Sequence, residues 1–331
     1  MAPTPEPAPA PVSALRDDGS VDSAHAGALS GELAVALFEH MVLARALDER
    51  LVALQREGVV TQHASAIGEE AAIVGAAAAM HDEDWVFPSS REFAAALWRG
   101  MPLAAYAHHV VGSRRDVGHG RNAPDPPFWK AAHVVSVSPL SGNHIPHAVG
   151  VAWAARAQKH DVAALLYFGE GATSSGEFHT GLNFAGVMAA PVVAVCRNRS
   201  PSTSASHQTA SPGFAVKAVA YGLRGVRVDG SDVVAVFGVV REARARAAAG
   251  QGATLVEAVI PGVEAADPVA KLRRHLLAQG LWDAERDRRL AAEVHTDVER
   301  AIIEATAAGP PAPETMLSDV FAQTSEGETS P

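Results

Sequence analysis

Across residues 31–55, Leu33, Leu37, Met41, Leu43, Leu47, Leu51 and Leu54 fall two to four positions apart, mostly at helical spacing. That interval stacks side chains along one face of an α-helix, so the segment reads as a helix with one buried face and as the start of the folded domain. Residues 68–80 follow as a tightly packed Ala/Gly helix, and residues 84–87 as a short strand closed by Pro88. Beyond a loop carrying Ser89, Ser90, Arg91 and Glu92, residues 112–132 mix Gly, Arg, His and Pro without a period, as a surface connection does. Connections of that length are often functional.

Residues 134–137 then read as a strand and 145–159 as an alanine-rich helix. From residue 162 the pattern becomes regular: strands at 162–168, 192–196, 225–228 and 254–259 alternate with helices at 175–188, 214–221 and 233–249. Apolar strands alternating with helices imply a parallel sheet covered on both faces, which binds ligands at the carboxyl ends of its strands. Two charged helices, 272–279 and 283–307, split at Gly280, close the pattern, and no internal repeat is visible. Residues 2–12 hold too much proline for a helix and too few large apolar groups to pack, so they read as a disordered tail.

Composition narrows the functions. Of 331 residues, 48% are hydrophobic but only 5% aromatic, so the core is built mainly of Ala, Val and Leu. The net charge of −10 opposes binding to a phosphate backbone, which argues against nucleic acid as a partner. No apolar stretch reaches the roughly 18 residues of a spanning helix, and the N-terminus lacks a signal-peptide layout, so no membrane partner and a cytoplasmic location are expected. The lone Cys196 lies in an apolar run and reads as a buried structural thiol.

The most informative stretch is Gly169-Glu170-Gly171-Ala172, where an apolar strand runs into a Gly-flanked carboxylate and then a Ser/Thr-rich helix start. Glycines let a backbone approach an anion, helix-start N–H groups face it, and a carboxylate can hold Mg2+ against phosphate oxygens. Alone, the pattern fits an ordinary turn equally well. A second strand end, Cys196-Arg197-Asn198-Arg199, sharpens it, because neighbouring parallel strands deliver both segments to one crevice.

With these segments the chain resembles the alpha subunit of the thiamine-diphosphate-dependent, decarboxylating component of 2-oxo acid dehydrogenase complexes. The resemblance spans residues 31–322. It rests on Phe87-Pro88-Ser89-Ser90-Arg91-Glu92, Gly120-Arg121-Asn122-Ala123-Pro124, Ser138-Pro139-Leu140, Ile145-Pro146-His147-Ala148-Val149-Gly150 and the run from Tyr167 to Gly176, with further matches continuing in order to Asp283. Glu170 and the Cys196-Arg197-Asn198 segment look most similar to branched-chain members. The resemblance implies that Arg91 and Arg197 bind the diphosphate and that Ser138 and Leu140 line the aminopyrimidine and thiazolium pocket. By the same resemblance Gly169, Glu170, Gly171 and Ala172 would cradle phosphate and metal, with Glu170 on Mg2+. It further implies a beta subunit completing the active site in an alpha2-beta2 heterotetramer, a lipoyl acyltransferase as acceptor and a small 2-oxo acid as substrate, with pyruvate or acetoin also inside the class.

Several departures stand against that pattern. Arg199 occupies the register of a metal-binding Asn, and a guanidinium offers no lone pair to a cation. Either Asn198 takes over as the second metal ligand beside Glu170, or Arg199 neutralises the diphosphate directly. Ser90 stands where the family has Tyr, and residues 261–267 run straight to the C-terminal helices where the family carries a loop with a catalytic His. No catalytic residue is therefore assigned on this chain, and a catalytically impaired subunit kept for assembly or regulation is the rival reading. Bland roles are expected elsewhere: packing or capping for His144 and His147, no metal site at His108 and His109, helix-start charges at Glu69 and Glu70, and a solvated face for Arg241, Arg244 and Arg246. The expected architecture is a doubly wound parallel α/β sheet of the thiamine-diphosphate-binding fold over residues 31–267. It is flanked by a disordered tail at 1–30, a helical arm for subunit contacts at 268–322 and a disordered end at 323–331.

Overall fold

The computed structural model describes residues 8–22, 29–123, 127–199 and 208–316. Five strands, β1 (Trp85–Phe87), β2 (Ala164–Gly169), β3 (Val192–Asn198), β4 (Arg224–Asp229) and β5 (Thr254–Val259), form one all-parallel sheet in the order β1-β2-β3-β5-β4. The helices are α1 (Gly31–Arg56), α2 (Glu70–Ala78), α3 (Phe93–Trp98), α4 (Leu103–Val111), α5 (Ile145–Ala157), α6 (Gly176–Val187), α7 (Val233–Ala248), α8 (Pro268–Ala278) and α9 (Ala284–Ala308).

Alternation along the strands explains the layering. Leu165, Tyr167, Val193 and Val195 point into a core shared with α1, α2 and α7, while Leu166, Phe168, Ala194 and Cys196 point into a second core shared with α5 and α6. Beyond Glu70, helix α2 is apolar on all sides and almost wholly buried, lying against α7 so closely that a Cβ on Gly75 would sit 3.1 Å from Val233. The helix starts are capped by the residues their sequence supplies. Ser30 accepts from Leu33 N, Asp267 from Val269 N and Asp283 from Glu285 N.

Two expectations are corrected. Residues 8–22, placed in the disordered tail, are folded: Val12 bridges in parallel to Val228 on the edge strand β4, and Ala14 and Leu15 donate to the buried Asp232 carboxylate at 2.7 and 2.6 Å. A few apolar residues suffice there because the open backbone edge of β4 supplies the partners. The strand expected at 134–137 reduces to isolated bridges from Val134 to Val86 and Trp129, since β1 ends after three residues and leaves nothing further to pair with. The helix expected at 214–221 is present as a 3-10 helix over residues 215–221. The C-terminal arm expected at 268–322 packs Val294, Val298, Ala301, Ile302 and Ala305 into the core beside α1 and α4. The expectations for 1–7, 23–28 and 317–331 lie outside the described residues.

Candidate functional site

At the carboxyl ends of β2 and β3 the parallel register sets Gly169 opposite Arg197. A cavity of about 170 Å3 opens there, and Ser89, Ser90, Arg91, Ser138, Leu140, His144, Gly169 and Arg197 are among its lining. Five of the sequence-derived cofactor residues thus meet in one place: Arg91, Ser138, Leu140, Gly169 and Arg197. The loop bearing Ser138 and Leu140 is tied down at Gly142, whose φ of +86° and 2.5 Å Cβ approach to Ser175 Oγ exclude a side chain; Ser175 in turn caps α6.

Glu170, Gly171 and Ala172 continue from Gly169 in a 3-10 turn outside the cavity lining, with Ala172 buried in the second core. A Cβ on Gly169 or Gly171 would meet nothing within 4 Å, so open space lies over this backbone where an anion can approach. Asn198 is turned by strand alternation to the face opposite Arg197, where its amide donates to Glu257 at 2.8 Å and its buried Oδ1 has no partner.

The electrostatic centre is Glu69, fully buried just before α2. Its carboxylate pairs with Arg197, with Arg199 Nε at 3.0 Å and with Arg91 Nη1 at 3.6 Å. Arg197 also pairs with the buried Glu92 and donates to Ser89 Oγ at 2.9 Å, while Glu92 accepts from Ser89 N at 2.5 Å. Burial pulls the Arg197 guanidinium down, but Glu92 and Glu69 outweigh it and hold it above its ordinary value. Arg91 is lowered first by burial and further by the like charges of Arg197 and Arg199, against the attraction of Glu69. Three guanidinium groups therefore face two carboxylates, and of the three Arg91 and Arg197 line the cavity.

His144 was expected to be a packing residue, and the structure places it on the cavity wall. Its Nε2 lies 2.7 Å from the Tyr167 carbonyl, which can only accept, so Nε2 carries the proton. Burial holds the imidazole below its ordinary range, against the carbonyl bond, which leaves Nδ1 as a buried lone pair without a partner.

Glu69, Glu92 and His144 are thus site residues that the sequence reading passed over. Glu69 and Glu70 stand at the start of α2 as expected, and both are also buried ion-pair partners; Glu70 holds Arg45 at 2.5 Å and accepts from Gly68 N at 2.9 Å. Arg244, expected on a solvated face, is buried against Asp84 at 3.1 Å. His108 and His109 are held by Ser113 and Asp116, and Cys196 is buried with its thiol pushed well up by desolvation.

The connection after β5 is short. Its Val263 side chain lies 2.6 Å from where a Cβ on Gly68 would sit, and Asp267, which caps α8, also pairs with Arg45. It carries no histidine. Among the described residues no three His, Cys, Asp or Glu side chains gather as a cation site, and Arg199 points its donors at Glu69 and at the Ile67 carbonyl. The donor set for Mg2+ that the resemblance implies does not fit these residues. A larger cavity of about 520 Å3 lies between residues 8–12 and β4, but its lining is apolar apart from Arg227, which is committed to Glu257 and Pro9.

Comparison with known proteins places the same segments in a family context. The profile described as "Dehydrogenase E1 component" matches residues 38–261. The "2-oxoisovalerate dehydrogenase subunit alpha 2, mitochondrial" of Arabidopsis thaliana is 34% identical over 317 residues, covering 88% of this chain and 67% of the relative. The human "2-oxoisovalerate dehydrogenase subunit alpha, mitochondrial" is 33% identical, at 88% and 71% coverage. The "3-methyl-2-oxobutanoate dehydrogenase subunit alpha" of Mycobacterium tuberculosis is 37% identical over 295 residues, at 81% and 78% coverage.

Proposed function

Because the chain belongs to the dehydrogenase E1 component family, we propose that it is the alpha subunit of a branched-chain 2-oxo acid dehydrogenase. It acts with thiamine diphosphate in oxidative decarboxylation and passes the acyl group to a lipoyl acceptor. The observation that carries this reading is the meeting of Arg91, Ser138, Leu140, Gly169 and Arg197 around one cavity at the ends of β2 and β3. The relatives' names favour this enzyme over an impaired assembly subunit.

Bound thiamine diphosphate supplies the nucleophilic carbon and the electron sink that decarboxylation needs. The chain's own residues bind and orient. Arg91 and Arg197 present planar, permanently charged forks suited to phosphate oxygens, and Glu69 and Glu92 hold those forks in place. Ser138 and Leu140 form the neighbouring wall, and the exposed Leu140 side chain offers an apolar surface to a flat ring. His144 keeps its proton at Nε2 and turns no charge toward the anion.

The cavity is smaller than the roughly 300–1,000 Å3 of complete small-molecule pockets. That size supports a half-site closed by a second chain, in line with a beta subunit in an alpha2-beta2 assembly and a lipoyl acyltransferase as the downstream partner. A cytoplasmic location is proposed with the rest; among the described residues no helix is long and apolar enough to cross a membrane.

The test is co-expression with the matching beta subunit, then measurement of CO2 release from 2-oxoisovalerate and from pyruvate with thiamine diphosphate and Mg2+. Turnover that favours the branched acid supports the reading. An assembled complex that decarboxylates neither acid refutes it.

A further inference from the structure

We infer that Arg199 is a third diphosphate-neutralising guanidinium, so that cofactor binding at this site tolerates removal of divalent cation. The inference rests on the proposed thiamine-diphosphate site and deepens it. Arg91, Arg197 and Arg199 all converge on the single carboxylate of Glu69, and Glu92 is the other carboxylate in the cluster. With Arg199 the cluster is cationic; without it, two guanidinium groups against two carboxylates leave it neutral, and the charge of a diphosphate has to be met from elsewhere.

The cluster is also the wrong place to concentrate a metal. No three acidic, His or Cys side chains gather among the described residues, Asn198 is committed to Glu257 on the opposite sheet face, and a guanidinium repels a cation that it cannot ligate. Arg199 is the most exposed of the three guanidinium groups. Its side chain is 44% exposed, whereas that of Arg197 is 4% exposed, so it can swing from Glu69 to an incoming anion while Arg197 keeps the carboxylate compensated. The same like-charge pressure of Arg197 and Arg199 on Arg91 is relieved when a diphosphate arrives.

The experiment is calorimetric titration of the assembled alpha–beta complex with thiamine diphosphate, in Mg2+ and again in excess EDTA, for wild type, Arg199→Asn and Arg199→Lys. Wild type and Arg199→Lys are expected to lose less than about tenfold in affinity on chelation. Arg199→Asn loses about tenfold to a hundredfold more, the range expected for one charge-assisted hydrogen bond. Arg199→Gln serves as a second neutral variant if Arg199→Asn does not assemble. Wild-type binding abolished by EDTA, or an equal loss in wild type and neutral variants, overturns the inference and leaves the proposed function standing. A complex that binds no thiamine diphosphate even with Mg2+ overturns both.

Discussion

Asp84 shows what a single buried charge does in this molecule. Fully buried at the start of β1, it accepts from the backbone N–H groups of His81 and Ala163, both at 2.8 Å, and holds Arg244 at 3.1 and 3.2 Å. Asp84→Ala strands Arg244, 5% exposed, with only the exposed Asp161 as partner, and is expected to cost about 3–5 kcal/mol. Asp84→Asn, which can still accept, costs less, and denaturant midpoints of the two variants measure the difference. His144 sets a second expectation. Its native pKa lies below the ordinary 6.5, so the unfolded imidazole takes up a proton that the native one refuses. Its contribution is therefore intact above about pH 6.5 and lost as pH falls below that value. Glu92, His147 and Arg197 are the charged or titratable groups that act on it. Between pH 7.5 and 5.5 His144→Gln is expected to lose less stability than wild type; equal slopes count against this assignment. Arg197 was placed in the crevice by its strand end and at the diphosphate by the family resemblance, whereas Glu69 was not legible, because nothing local distinguishes it from Glu70.

The elements carry their own consequences. The edge strand β4 is covered by Val12, which donates to the Arg227 carbonyl and accepts from Asp229 N, both at 2.9 Å. Deleting residues 1–22 uncovers that edge and leaves the Asp232 carboxylate without Ser13, Ala14 and Leu15. The truncated chain is expected to melt lower and to aggregate by edge pairing, read by thermal scan and light scattering. Helix α6 meets the turn at Tyr221 through Gly186, where an added Cβ would fall 2.0 Å from the Tyr221 carbonyl oxygen. Gly186→Ala therefore displaces the 3-10 helix and costs about 1–3 kcal/mol in the same measurement. The core strands and long helices were legible because periodicity is local; residues 8–22 were not, since their order comes from an edge that composition cannot reveal.

For the molecule as a whole, the sign of the charge changes with distance. A chain of net charge −10 gathers three arginines at one sheet end, so the far field repels anions while the near field attracts them. Thiamine diphosphate at a hundred times its Kd is expected to raise the unfolding free energy of the assembled complex by about 2.7 kcal/mol. Arg91→Ala removes most of that gain; an unchanged thermal shift in the variant would count against Arg91 as a diphosphate ligand.

The sequence by itself determined the alternation of strands and helices, the parallel sheet and the two strand ends where Glu170 and Arg197 lie. Those features depend on residue spacing within a few turns. Only the tertiary structure decided that Glu69, 128 positions from Arg197, is the carboxylate on which three guanidinium groups close, and that Asn198 turns away from them. A buried ion pair is chosen by which helix start packs against which strand end, and that choice exists only once the two layers have closed on the sheet.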